Sequence, residues 1–304
     1  MTKRALIPAA GLGTRLLSAT KEQPKEMLPI FSNNINGGLS LKPLVQLVFE
    51  QLFNFGIREF CIIVGRGKRA IEDHFTPDHS YIERLNSRGK NHQALDLESF
   101  YHKIQESRII WINQPEPKGF GDAVHTAQGF VNTEDFLVHA GDTYIISNSR
   151  NSLLTRLIHE HEQTRADATI TLQHVNDPRQ YGVADVTSSQ ELGLLVQSVV
   201  EKPDKPTSNL AIMPLYIFKP IIFKALASTK PGKGGEIQLT DAIQKLIEWG
   251  HKVHAIKLRS DDLRLDIGTP ETYWEAQKLS YEYYSRKKVL AYDRHLSPRR
   301  SSGN

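Results

Sequence analysis

Short apolar runs recur along this 304-residue chain, with room for a helix between most neighbours, and that alternation constrains the fold more than any other feature. The runs cover residues 4–8, 59–64, 108–113, 135–140, 168–175, 194–201, 211–218 and 252–258. Several are apolar almost without interruption, Phe60-Cys61-Ile62-Ile63-Val64 among them. Strands covered on both faces read this way. Between the runs, Leu44, Leu47, Val48, Leu52 and Phe55 fall at helical spacing and stop at Gly56, a good C-terminal signal. Residues 122–130, 152–164, 236–249 and 271–284 read as helices too. The alternation predicts an α/β protein on a doubly wound, mostly parallel mixed sheet with helices on both faces. Residues 76–107 break the rhythm with a polar, charged stretch. That stretch predicts helices outside the sheet, inserted into one domain over residues 1–284.

Charge and cysteine usage exclude several classes. The net charge of +4 is concentrated at the C-terminus. Residues 285–304 hold six Lys or Arg (Arg286, Lys287, Lys288, Arg294, Arg299 and Arg300) against Asp293 alone, which leaves the rest of the chain close to neutral. Nucleic-acid binding calls for basic residues spread over a folded face and interleaved with aromatics. A basic segment ending in Ser, Pro and Gly predicts a disordered tail instead. No apolar run reaches bilayer length, and the N-terminus leads almost directly into a strand. The only cysteine, Cys61, sits inside an apolar strand and reads as a buried small hydrophobe. A cytoplasmic protein with neither nucleic-acid nor membrane partner is the expectation.

The first strand runs into Ala9-Ala10-Gly11-Leu12-Gly13-Thr14-Arg15, and Lys25 follows in Pro24-Lys25-Glu26-Met27. Glycines bring backbone N–H groups close to a ligand because they lack Cβ. An arginine offers phosphate a planar fork and a lysine offers a point charge. Two better-known glycine motifs do not fit. A dinucleotide fingerprint needs a third glycine where Leu16 stands, and a P-loop needs Gly-Lys followed by Ser or Thr. Gly67-Lys68-Arg69 and Gly232-Lys233-Gly234 lack that hydroxyl as well. Alone, the turn is equally well read as a tight connection. The whole run over residues 8–29 resembles the signature of sugar-1-phosphate nucleotidyltransferases, and most of all the bacterial-type UTP–glucose-1-phosphate uridylyltransferases. The resemblance extends through separated motifs over residues 3–281 and implies a Rossmann-like nucleotidyltransferase fold.

Asp142 ends the run Phe136-Leu137-Val138-His139-Ala140-Gly141, and Asp266 ends Leu263-Arg264-Leu265 before Gly268-Thr269-Pro270. Each could simply be a turn residue. The resemblance implies instead that they hold Mg²⁺, an ion that favours one or two carboxylates plus substrate phosphates. Gln114, followed by Gly119 and Ala123, matches the segment that recognises the base, where a carboxamide can meet the imide edge of uracil. Tyr181-Gly182-Val183 and Glu201-Lys202-Pro203 match the sugar half, Glu201 accepting from ring hydroxyls and Lys202 holding the sugar phosphate. Adjacent strand residues reach one ligand only where the strand ends, as Pro203 suggests here. Gly235-Glu236-Ile237-Gln238-Leu239-Thr240-Asp241-Ala242-Ile243 is also close to the uridylyltransferase pattern. Met213-Pro214-Leu215-Tyr216 departs from it, where bacterial relatives often carry glycine.

Together these residues imply Mg-dependent transfer of a uridylyl group from UTP to glucose 1-phosphate. Arg15 and the backbone of Ala10, Gly11, Gly13 and Thr14 would hold the triphosphate, and Lys25 would neutralise the α-phosphate. Uracil and thymine differ by one methyl, worth only about 1–3 kcal/mol in a pocket, so dTTP stays open, as do N-acetylglucosamine and galactose 1-phosphates. A catalytically silent ligand sensor on the same fold is the remote alternative. The resemblance further implies a homo-oligomer, a dimer or a tetramer, with the 76–107 insertion helping subunits associate.

Overall fold

A computed structural model describes residues 2–147, 152–189 and 193–296, with side chains through residues 188 and 286 in the last two segments. The strands are β1 (Arg4–Pro8), β2 (Pro29–Asn33), β3 (Leu39–Pro43), β4 (Glu59–Val64), β5 (Arg108–Asn113), β6 (Phe136–His139), β7 (Thr143–Ser147), β8 (Ala168–His174), β9 (Gly182–Ser189), β10 (Gly193–Glu201), β11 (Leu210–Phe218), β12 (Val253–Lys257) and β13 (Asp262–Asp266). The helices are α1 (Leu44–Phe55), α2 (Arg69–His74), α3 (His79–Ser87), α4 (Asn91–Gln105), α5 (Phe120–Thr126), α6 (Gln128–Val131), α7 (Leu153–Thr164), α8 (Ile221–Ser228), α9 (Leu239–Glu248) and α10 (Pro270–Leu296).

Nine strands form one mixed sheet in the order β5-β4-β1-β6-β11-β8-β12-β10-β9. Their pairings set seven strands in one direction, with β10 and β11 reversed. Four of the strand contacts are nonetheless parallel and five antiparallel, because each reversed strand lies between two of the majority and β11 also meets β9. By contact, then, the sheet is not the mostly parallel one that the sequence predicts. Alternate side chains explain the apolar runs. In β1, Ala5 and Ile7 join one cluster and Leu6 the other; in β4, Phe60 and Ile62 separate from Cys61 and Ile63 in the same way. Helices α1, α7 and α10 contribute to the first cluster, and α5, α8 and α9 to the second. Burial pushes the Cys61 thiol up to about 12, so it is an inert core residue.

Three local expectations are corrected. The helix expected from Glu236 starts only at Leu239. Glu236–Gln238 must stay extended because Gly121 N–H donates to Ile237 O (2.9 Å) and Ile237 N–H to Lys118 O (2.7 Å). A Cβ on Gly121 would stand 2.7 Å from Ile237 O, so the close approach requires glycine. The helix expected over 122–130 begins at Phe120 and breaks at Ala127 into α5 and α6. The tail expected from residue 285 is helical as far as Leu296, for residues 285–296 contain no Gly or Pro and are rich in helix-favouring Arg, Lys, Leu and Ala. Residues 297–304 lie outside the described residues. The insertion does form helices, α3 and α4, beyond the sheet edge at β5. It is anchored rather than merely solvated: Phe100 packs edge-on against Phe49 and Phe75.

Two histidines make the fold acid-sensitive. His139 is fully buried with Nδ1 2.9 Å from Ala140 O. His74 stacks on Phe100 and lies 2.9 Å from Gln46 Oε1. Burial pulls each down to about 4. In the unfolded chain both titrate near ~6.5. As pH falls from about 6.5 towards 4, the unfolded state takes up protons that the fold refuses, at a cost on the order of 1–3 kcal/mol per histidine. Urea melts at pH 7.5 and 5 should show the loss, and His74→Phe should flatten the profile. An equally steep profile in that variant contradicts the assignment.

Candidate active site

The C-terminal ends of β1, β4 and β6 meet on one edge of the sheet. Ala9 N–H donates to Ile63 O (2.7 Å), Gly141 N–H to Pro8 O (3.0 Å) and Gln114 N–H to Val64 O (2.7 Å). Above them opens a cavity of about 500 Å³, ample for a small-molecule substrate. Ala10, Gly11, Gly13, Thr14, Arg15, Lys25, Gln114, Gly119, Asp142, Gly182, Glu201, Lys202 and Asp266 all line it. Every site residue singled out from the sequence is therefore in one place.

The glycine turn is shaped by Gly13, whose φ of 67° is the left-handed region. Thr20 Oγ1 donates to Gly13 O at 2.7 Å and fixes the turn from behind. Arg15 is the middle residue of one short helical turn, Thr14–Leu16, and is exposed. At the centre, Lys25 Nζ donates to Asp142 Oδ2 at 2.5 Å. The Asp142 charge, helped by Glu26, holds the Lys25 ammonium above the usual lysine range. Burial pushes the Asp142 carboxyl up, but Lys25 outweighs it and keeps Asp142 below the usual range.

Asp266 reaches the same point on a two-stranded ribbon. β13 pairs antiparallel with β7, placing Asp266 opposite Thr143, the residue after Asp142. Thr143 Oγ1 lies 3.3 Å from Asp266 Oδ1 and 3.5 Å from Asp142 Oδ1. Burial and then the Asp142 charge push the Asp266 carboxyl up. Two carboxylates and a hydroxyl thus converge, with the Lys25 ammonium held on Asp142. Among the described residues no cluster of three or more His, Cys, Asp or Glu forms a closed metal cage. An incomplete, all-oxygen donor set fits a hard divalent cation that takes its remaining ligands from substrate phosphates and water.

Gln114 is nearly fully buried. Its Nε2 donates to Asp122 Oδ2 (2.7 Å) and Gly119 O (3.2 Å). Both amide protons are engaged inside the protein, so Oε1, assigned from this network, is the group left to accept a hydrogen bond. Of the one acceptor and two donors that the sequence offers at Gln114, only the acceptor is left without a partner within the protein. Asp122, which sets the orientation, gave no signal in the sequence beyond its place in the motif.

In the sugar half, β10 ends at Glu201, and Lys202 turns into the left-handed region with φ 43°. Both side chains can then face one cavity, and Lys202 Nζ lies 3.0 Å from Glu201 Oε1. Thr240 Oγ1 donates to Glu201 Oε2 at 2.8 Å. Gly182 lies under this pair; a Cβ there would stand 2.8 Å from Thr240 Oγ1 and 3.2 Å from Glu201 Oε2. The divergent segment at Met213–Tyr216 carries an irregularity in the β8–β11 pairing, and Pro214 O accepts from Ala140 N–H at 3.0 Å.

The Nucleotidyl transferase family model matches residues 4–282. The chain belongs to the nucleotidyl transferase family. A UTP–glucose-1-phosphate uridylyltransferase of Bacillus subtilis (strain 168) is 42% identical over 250 residues, covering 81% of this chain and 80% of the relative. Among solved structures, a UDP-glucose pyrophosphorylase complexed with UDP-glucose has TM-score 0.78 at 32% identity, covering 94% of this chain and all of that one. A UTP-bound enzyme from Acinetobacter baumannii has TM-score 0.78 at 29% identity, covering 95% and 99%.

This nucleotidyl transferase also holds a buried ion pair beside its centre, Lys68 Nζ to Glu26 Oε2 at 2.8 Å. Burial pushes the Glu26 carboxyl up, with Lys68 and Lys25 opposing. Lys68 belongs to the Gly67-Lys68-Arg69 sequence that fails as a P-loop; its role is to neutralise Glu26. Thr240 offers a direct test of the sugar half. In Thr240→Val, Glu201 loses a hydrogen bond to a charged group, so KM for the sugar phosphate should rise about tenfold. Steady-state kinetics on a variant with unchanged circular dichroism checks this, and an unchanged KM contradicts it.

Proposed function

We propose that this nucleotidyl transferase moves the uridylyl group of UTP to glucose 1-phosphate, giving UDP-glucose and pyrophosphate. The observation that carries the reading is the single cavity joining the glycine turn, the Lys25–Asp142–Asp266 centre, the Gln114 acceptor and Glu201-Lys202. The similarity to uridylyltransferases along most of the chain supports both substrates. Residues 1–284 act as the catalytic domain on a doubly wound sheet.

The attacking group is a phosphate oxygen of glucose 1-phosphate, mostly dianionic at neutral pH because its second pKa is about 6. A bond forms from that oxygen to the α-phosphorus of UTP, and the bond from the α-phosphorus to the bridging β-oxygen breaks, so pyrophosphate carries away the electron pair. No side chain has to remove a proton. The protein must align two polyanions and offset their repulsion. Ala10, Gly11, Gly13, Thr14 and Arg15 hold the triphosphate. Gln114 Oε1 accepts from the base, and Glu201 accepts from the sugar hydroxyls. Lys25 exchanges its hold on Asp142 for an α-phosphate oxygen, while Lys202 reaches the sugar phosphate. Asp142 and Asp266 would hold Mg²⁺, which when bound neutralises phosphate charge between the substrates.

We read the chain as a cytoplasmic homo-oligomer, dimer or tetramer. No described helix is long and apolar enough to cross a membrane. Exposed Ile35 and Leu41 on the β2–β3 hairpin, with Trp274 and Tyr281 on α10, supply apolar surface for a subunit contact. The function is tested by pyrophosphate release across a matrix of nucleoside triphosphates and sugar 1-phosphates with Mg²⁺. UTP with glucose 1-phosphate should give the highest kcat/KM. A better dTTP pairing overturns the base assignment, and silence in every combination overturns the enzyme reading.

A further inference from the structure

Four cations line the substrate cavity: Arg15, Lys25, Lys202 and Arg264. Lys25 is bound to Asp142, Lys202 to Glu201, and Arg15 lies on the exposed turn. Arg264, half-buried on β13, has no carboxylate partner among the described residues. Its Nη2 donates to the Tyr181 hydroxyl at 3.2 Å, and its guanidinium carbon lies 5.2 Å from the centre of the Tyr181 ring. A guanidinium drawn out of water without a direct ion pair is costly, and contact with a ring recovers only part of that cost. Of its five N–H donors, one is satisfied by Tyr181. The fork is therefore anchored on Tyr181 with donors to spare.

Its position says which anion matches it. Arg264 and Asp266 are two apart on one strand and so lie on the same side of the β7–β13 ribbon. Tyr181 immediately precedes Gly182, which lies under Glu201 and Thr240. Arg264 thus stands between the carboxylate that ends the ribbon and the residues of the sugar half. The Arg264 charge also bears on Asp266, drawing its carboxyl down against burial.

We propose that Arg264 is the fork that receives the phosphate of the sugar 1-phosphate, positioned by Tyr181, with Lys202 supporting it as a point charge. The inference rests on the function proposed above. The same phosphate becomes the sugar-side phosphate of the nucleotide sugar, so Arg264 holds one group from substrate to product and touches neither the triphosphate nor the released pyrophosphate.

The test measures all four KM values, forward and reverse, for wild type, Arg264→Gln, Arg264→Lys and Tyr181→Phe. In Arg264→Gln, KM for glucose 1-phosphate and for UDP-glucose should rise about 10- to 100-fold, with KM for UTP and pyrophosphate within about twofold. Arg264→Lys should show the same selective pattern at smaller size, since a point charge replaces a fork. Tyr181→Phe should shift the same two constants by about threefold, as expected for a lost neutral hydrogen bond. Inorganic phosphate should compete with glucose 1-phosphate in the wild type and lose that ability in Arg264→Gln. Equal increases for all four ligands, or a selective rise for UTP or pyrophosphate, overturn the proposal. If Arg264→Gln does not fold, the pattern in Arg264→Lys decides by the same criteria. A wild type inactive with UTP and glucose 1-phosphate defeats the function itself; an active wild type with unselective variants defeats only the role of Arg264.

Discussion

Replacing Lys25 with alanine should lower kcat by about 10²- to 10³-fold, the usual cost of removing a donor aimed at charge that develops in the transition state. KM for UTP should change much less, because the glycine turn and Arg15 remain. The structure adds a second effect. Lys25 is bound to Asp142 and its charge also acts on Asp266, so its loss leaves two neighbouring carboxylates without that cation. The variant should melt at lower temperature than wild type in chelator, and Mg²⁺ should recover more stability for it than for wild type, since cation binding to the folded state is favoured by the uncompensated charge. Single-turnover kinetics and paired melts with and without Mg²⁺ test both effects. A kcat within about threefold of wild type would refute the assigned role.

Asp142→Asn should be the most damaging carboxylate substitution, with kcat/KM falling by about 10³-fold, equivalent to several kcal/mol of lost charge stabilisation. Asp142 serves twice, clasping Lys25 at 2.5 Å and forming half of the carboxylate pair. Asp266 serves only in the pair, so Asp266→Asn should cost less, on the order of 10²-fold. Without Asp142, Lys25 also loses the main charge holding its ammonium above the usual range. Metal titration of activity separates the two substitutions from a folding defect, because both should raise the Mg²⁺ concentration needed for half-maximal rate. Equal costs for the two would contradict the double role of Asp142.

Residues 4–8, 59–64 and 108–113 were legible to the residue and coincide with β1, β4 and β5, the first two buried on both faces and β5 a partly exposed sheet edge. Their uninterrupted apolar content leaves no competing period. β2 and β3 escaped because Pro29 and Pro43 sit at their ends and half of each strand faces solvent. β7 and β13 escaped because they pair only with each other, outside the large sheet. In the site, motif residues were legible through resemblance, whereas their supports were not. Asp122, Lys68 and Arg264 act on residues 8, 42 and 83 positions away. Local spacing carries no trace of such contacts. The helix start at Leu239 was missed for the same reason, since the backbone of Lys118 and Gly121 holds Glu236–Gln238 extended.

The β7–β13 ribbon has one more consequence, in the order of synthesis. Strand β12 completes the nine-stranded sheet at residue 257, yet Asp266 arrives only with β13. A nascent chain emerging N-terminus first can therefore assemble its whole central sheet while the catalytic centre is still half made. The second carboxylate of the pair needs nine further residues, and a chain terminated in that interval would have its central sheet but only Asp142 of the pair, and would lack the core side chains that α10 supplies.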